Sequence, residues 1–284
     1  MTGAALALVL AAALCHAFWN ALAKRARQPL VFLWSSVSLA SVALSIPALA
    51  LADPAELRAG WPFLAASVGL HGFYFYALSS SYRLGDFSLV YPIARGLGVA
   101  LVPVLAFFAF GERLSPLGIT GIALVVTGIV AISIAPRALA TSRWRLGAGT
   151  GWALLTGLTI TLYSVNDKAG VAHIHPVPYI ALMGLGTAAS LLPAVFRQRE
   201  ALRAEWRVNW RAILIASTTN LTGYLLVLFA FRLSKAGYVV AARELSILFS
   251  ALLGSLWLRE GRLAPLLGAA IVVLAGVLCV ALAR

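Results

Sequence analysis

The chain has 284 residues, 62% of them hydrophobic and 11% charged, with a mean hydropathy of +0.94, whereas soluble domains run at about 45–50% apolar and about 25% charged. A water-soluble fold of this length cannot enclose that much apolar side chain, so lipid is the solvent for most of the chain. The net charge of +13 comes from 22 basic and 9 acidic residues; the basic ones are mostly Arg in short clusters between apolar runs, a pattern of membrane-topology signals that points away from nucleic acid.

A helix crossing about 30 Å of hydrocarbon needs roughly 20 apolar residues. Polar punctuation divides this chain into ten such runs, at 3–23, 29–52, 61–82, 87–110, 116–135, 148–167, 177–196, 212–232, 236–258 and 264–283. Unpaired backbone groups are costly in lipid, and the runs are too continuous for barrel strands, so the predicted fold class is an all-α integral membrane protein with ten transmembrane helices. The first run lacks a basic leader, and Leu14 precedes Cys15 where a lipoprotein cleavage site wants a small residue, so the first span is expected to be retained. Hydrophilic stretches of any size occur only at 136–146 and 197–211, too little for a soluble catalytic domain. The signatures of nucleophilic hydrolases, zinc peptidases and phosphate-binding loops are missing, so the expectation is no enzyme, no ATP hydrolysis and no cofactor. His173 and His175 lie two residues apart with no acid or thiol at ligand spacing, and no metal is expected there.

Sliding the chain on itself by 148 residues superposes Tyr76 on Tyr224, Arg95 on Arg243, Glu112 on Glu260 and Gly128 on Gly276. Nearer the start of each half the offset becomes 144, pairing Trp19 with Tyr163, Asn20 with Ser164 and Lys24 with Lys168. The predicted organisation is a first five-helix repeat at 1–137, a linker at 138–147 and a second repeat at 148–284. An odd number of spans per repeat makes the second copy enter the membrane from the opposite side. Inverted repeats of this kind build alternating-access transporters, with the substrate site near the midplane where the repeats meet.

The five-plus-five arrangement, the Trp/Tyr-then-Lys endings of the first and sixth spans, and the Glu-containing turn before a Gly-spaced span in each half resemble the EamA-type branch of the drug/metabolite transporter superfamily. Within it, His16-Ala17-Phe18-Trp19-Asn20 and Tyr91-Pro92-Ile93-Ala94-Arg95-Gly96 are similar to a bacterial subgroup of membrane proteins associated with phosphonate use. The resemblance implies a secondary transporter of small metabolites, multi-pass in the cell inner membrane, monomeric or homodimeric, with both termini cytoplasmic. The bias of Arg and Lys toward odd-numbered connections predicts the opposite sidedness.

Arg95 and Arg243 lie seven or eight residues into their spans, roughly 10–12 Å below the surface at 1.5 Å per residue. Such residues face a cavity or a partner. One reading is a pair of guanidinium groups holding carboxylate or phosphate oxygens; the other is an internal salt bridge, with Glu244 the acid beside Arg243. Glu244 is also the candidate carrier of a coupling proton. His16 and Asn20 share a face of the first helix, and with Tyr91, His71, Tyr76, Tyr163 and Tyr224 they complete the predicted substrate-binding set. Glu112 and Glu260 are read as caps or interfacial pairs, and Lys24 and Lys168 as snorkelling side chains. The expected substrate is an anion: a phosphonate, organic phosphate or carboxylate. The alternatives are export of amino acids or drugs, and a non-transporting membrane enzyme or partner subunit.

Overall fold

A computed structural model describes residues 1–85, 87–134, 147–249 and 263–283. Among the described residues there are ten helices and no strand: α1 Gly3–Lys24, α2 Pro29–Leu51, α3 Pro54–Leu84, α4 Phe87–Phe110, α5 Pro116–Ile134, α6 Ala148–His173, α7 Pro176–Phe196, α8 Arg199–Leu233, α9 Ala236–Arg243 and α10 Leu263–Leu282. Five of them are long and apolar enough to cross a membrane, namely α1, α2, α4, α7 and α8. Most of the predicted linker, Glu260 and the end of the ninth predicted span lie outside the described residues.

Local chemistry sets the boundaries. Thr2 Oγ1 accepts a hydrogen bond from Ala5 N at the start of α1. Asp53 Oδ1 accepts from Ala55 N at 2.7 Å, and Pro54 follows in the first turn, so α3 begins well before the predicted 61. His175 does the same for α7, taking Val177 N on its ring nitrogen. The hydrophilic stretch 197–211, expected as a connection, is largely helical and forms the start of α8. It is pinned where Glu205 accepts from Gln28 N and Asn209, and where Trp206 Nε1 donates to Ser35 Oγ at 3.0 Å. Asn209 leaves helical geometry (φ −112°, ψ 17°) and kinks the helix there. The ninth predicted span is interrupted too: α9 stops at Arg243, and Glu244 N and Ile247 N bond three residues back in a tight turn before helical backbone resumes over 245–249.

Packing is symmetric under exchange of the halves. α3 packs on α6 as α1 packs on α8; α4 meets α6 as α9 meets α1; and α2 with α7, α4 with α9 and α5 with α10 pair across the pseudo-symmetry. The offset of 148 is visible at single residues. A Cβ at Gly128 would lie 2.5 Å from Val273 and 3.1 Å from Ala269 O, and one at Gly276 would lie 2.8 Å from Val125 and 2.6 Å from Gly121 O. Bare glycine is what lets α5 and α10 cross with backbones nearly touching.

Across the α4–α9 contact, Arg95 Nε donates to Glu244 Oε2 at 3.1 Å and Nη2 donates to Oε1, a two-pronged ion pair with both side chains buried. Glu244 therefore answers the arginine of the other half. Its neighbour in sequence, Arg243, points elsewhere because successive helical side chains diverge by about 100°. Position 96, which corresponds to Glu244 in the first half, is glycine, so Arg243 has no matching carboxylate.

Two stability outcomes follow for the detergent-purified protein. Gly276→Val should lower the melting temperature, overpacking costing about 1–3 kcal/mol, whereas Gly268→Ala, which meets nothing within 4 Å, should be neutral or slightly stabilising; equal effects of the two would mean that the α5–α10 crossing is not tight. Arg95→Met alone and Glu244→Leu alone should each destabilise by about 3–5 kcal/mol, and the double substitution should recover most of that loss, since it leaves no uncompensated buried charge.

Candidate functional site

Between the halves lies a cavity enclosing about 720 Å³, its open mouth included, lined from seven helices. α1 contributes Ala12, His16 and Trp19, α2 contributes Val37, Ala40 and Ser41, and α3 contributes His71, Tyr74 and Phe75. Tyr163 comes from α6, Ile180 to Thr187 from α7, Asn220 to Val227 from α8, and Arg243 closes the α9 side.

Of the predicted substrate-binding residues, His16, His71, Tyr163, Tyr224 and Arg243 meet at this cavity. The rings form a continuous aromatic wall. His71 lies 4.4 Å from Tyr163 and 5.4 Å from Tyr224, and Tyr74 stands edge-on to Tyr163 at 5.4 Å, the arrangement that aromatic quadrupoles favour. His16 stands edge-on to Trp19 at 5.0 Å.

The other predicted residues lie off the wall. Asn20 spends its amide on His16 O, 2.8 Å away in its own helix. Tyr76, two residues beyond Tyr74 and so on nearly the opposite face of α3, is 42% exposed and meets Trp152. Tyr91 is buried in the apolar core behind the cavity. Arg95 and Glu244 are engaged with each other.

Arg243 is the exception among the buried charges. It is 3% exposed, it lines the cavity, and its Nε and Nη2 have no hydrogen-bond partner among the described residues. Asn220 Nδ2 and Thr187 Oγ1, also on the wall, are in the same position. A buried donor left unpaired costs about 1–3 kcal/mol, more when it is charged, unless a ligand or water supplies the acceptor. The cavity thus presents donors to whatever enters it.

One acid stands behind the aromatic wall. Asp167, on α6, is 0% exposed. Its Oδ1 accepts from Ser67 Oγ at 2.5 Å and from Tyr179 OH at 2.8 Å, its Oδ2 accepts from Tyr224 OH, and His71 Nε2 lies 3.7 Å from Oδ2. The predicted site leaves Asp167 out, at the end of the sixth span; α6 continues to His173, one and a half turns past that point, and the carboxylate is enclosed. The legible signal was the polar run Asn166-Asp167-Lys168 closing an apolar segment.

At the end of the bundle where α4, α6 and α8 finish, Glu112 acts as a clasp. Its Oε1 lies 2.8 Å from Lys168 Nζ and its Oε2 accepts from Ala236 N at 2.8 Å, while Lys168 also donates to Phe231 O and Ser234 O. Glu112 is an interfacial pair, as expected; Lys168 is bound at the ends of the helices, where snorkelling to the interface was expected. Four contacts thereby tie this end of the bundle together.

The model of the EamA-like transporter family matches residues 3–134 and 147–282. A crystal structure with 18% sequence identity superposes over 99% of this chain and 97% of its own, with a TM-score of 0.78, a likeness of fold. Curated relatives match over shorter stretches. A multidrug transporter of Pseudomonas aeruginosa is 42% identical over 50 residues, 18% of this chain and 46% of that one. The multidrug resistance protein EbrB of Bacillus subtilis is 38% identical over 74 residues, 26% of this chain and 62% of that protein. The quaternary ammonium compound-resistance protein QacE of Escherichia coli is 30% identical over 70 residues, 25% of this chain and 64% of that protein. The matches thus span less than two thirds of the length of these relatives. The family model covers both halves of the ten-helix bundle described above, and the chain belongs to the EamA-like transporter family.

Proposed function

We propose that this chain is a secondary transporter that carries a small organic anion, a carboxylate, organic phosphate or phosphonate with an aromatic or apolar body, through the cavity between its halves by alternating access. The observation that carries this reading is the unanswered guanidinium of Arg243 on the cavity wall. Its unpaired Nε and Nη2, with the Asn220 amide on the same lining, supply charge-assisted donors for two anion oxygens. The rings of His71, Tyr74, Tyr163 and Trp19 offer the remainder of the substrate a flat apolar surface, and His16 and Tyr224 complete the polar contacts. Arg95 and Glu244 serve as the tie between halves. Residues 1–137 and 148–284 are the two units, inverted in an inner membrane, that rock about the site.

A second reading has its own support. The relatives named above include multidrug and quaternary ammonium resistance proteins, and an aromatic box is a chemistry that holds organic cations. Arg243 opposes such a ligand by like-charge repulsion.

Ligand-dependent melting of the purified protein separates the two. Phenylphosphonate or benzoate should raise the melting temperature of wild type and of Tyr76→Phe, and the rise should vanish in Arg243→Ala. If tetraphenylphosphonium stabilises wild type, and stabilises Arg243→Ala still more, the cation reading replaces the anion one.

A further inference from the structure

The buried network behind the aromatic wall leaves one nitrogen facing a charge with the wrong group. Ser67 Oγ has a single proton, and at 2.5 Å from Asp167 Oδ1 that proton is committed to the carboxylate, which in ionised form only accepts. Ser67 Oγ also lies 3.1 Å from His71 Nδ1, and Ser67 O lies 3.1 Å from the same nitrogen. With the hydroxyl proton spent and the carbonyl able only to accept, Nδ1 must be the protonated ring nitrogen. Neutral His71 therefore keeps a lone pair on Nε2, which lies 3.7 Å from Asp167 Oδ2. Tyr179 OH, Tyr224 OH and Asn166 Nδ2 all donate to the same carboxylate, which is the pattern an ionised group takes.

We infer that His71 and Asp167 form the proton-binding site of this protein, the proton entering at His71 Nε2 from the cavity that His71 lines. Binding the proton turns the bare Nε2 into an N–H whose nitrogen lies 3.7 Å from Oδ2 and takes the pair from a net charge of −1 to zero. The proton passes from hydronium in the cavity, whose O–H bond breaks as the N–H bond forms and leaves water, and it returns to cavity water by the same nitrogen.

Each helix around His71 contributes to its electrostatic surroundings. α3 itself brings Tyr74, α6 brings Tyr163 and Asp167, α7 brings Tyr179 onto Asp167, α8 brings Tyr224 and α9 brings Arg243. α1 brings His16 to the same cavity, and α2 lines it with uncharged Val37, Ala40 and Ser41. On α4, Arg95 is already answered by Glu244 and Tyr91 lies behind the wall. Asp167 is thus the single anion in reach of the ring and Arg243 the single free cation of the cavity wall, among the described residues. A proton on His71 and an anion on Arg243 meet in one cavity, whose wall also carries Tyr224, hydrogen-bonded to Asp167. Coupling of the proton to substrate rests on the transport reading above and moves the coupling site from Glu244 to His71.

Two measurements test the site and the coupling separately. In ¹⁵N-histidine spectra of the solubilised protein, His71, assigned by its loss in His71→Gln, should be the Nδ1-protonated tautomer when neutral and should take a second proton on acidification. In Asp167→Asn that uptake should need at least a tenfold higher proton concentration. A neutral His71 protonated on Nε2, or a titration unmoved by Asp167→Asn, overturns the proposal. In proteoliposomes, the ratio of pH-gradient-driven accumulation of phenylphosphonate to its exchange should fall at least tenfold in His71→Gln and keep the wild-type value in Glu244→Gln; the reverse result returns the coupling to Glu244. If wild type neither accumulates nor exchanges phenylphosphonate, the anion-transport reading fails, and the proton site stands or falls by the spectra.

Discussion

A guanidinium buried among apolar helices has to be answered by protein or by ligand, since an Arg at the centre of a span costs about 2.5–3.5 kcal/mol on insertion scales even before its hydrogen bonds are counted. This chain places two arginines at repeat-related positions and supplies one carboxylate between them. Arg95 takes Glu244 with two hydrogen bonds and ties α4 to α9 across the halves. The corresponding acid for Arg243 would sit at position 96, where glycine packs near Ile129. A symmetric scaffold thereby produces an asymmetric interior, in which one arginine is structural and the other is left on the wall of the cavity.

Several other polar groups of the interior are answered within the protein. Hydroxyls such as Thr156, which donates to Trp152 O at 2.7 Å, and Ser217, which donates to Ile213 O at 2.7 Å, bond back to their own helices. Asp167 is surrounded by donors from four helices and forms a hard point where α3, α6, α7 and α8 meet. The Glu112 and Lys168 clasp gathers the turn between α4 and α5, the end of α6 and the turn between α8 and α9. Among the described residues, the buried side-chain nitrogens and oxygens of the cavity lining that have no hydrogen-bond partner belong to Arg243, Asn220 and Thr187.

Much of the candidate site can be read along the chain, although its partnerships cannot. His16, His71, Tyr163, Tyr224 and Arg243 are conspicuous as polar or aromatic residues within apolar runs, and all five reach the cavity. Tyr76 has the same look, yet two residues of helix turn it to the outside. Asp167 is obscured because the estimated span ends on it, whereas α6 continues to His173 and keeps it within the helix. The break at Glu244 was hidden for a similar reason: a continuous apolar run says that a segment is buried, and says nothing of where its backbone turns.

By itself the sequence determined that the chain is helical and lives in lipid, because hydropathy and run length are local quantities read directly against the thickness and dielectric of a bilayer. It also determined the repeat, since the 148-residue offset of Tyr76, Arg95 and Gly128 is a property of order along the chain. Only the tertiary structure decided that Glu244 belongs to Arg95, that Arg243 reaches the cavity without a carboxylate of its own and that Asp167 meets Ser67, Tyr179 and Tyr224 beside His71. Each of these depends on which face of one helix meets which face of another, and a rotation of about 100° between neighbouring residues is enough to exchange a salt bridge for an unpaired guanidinium on a cavity wall.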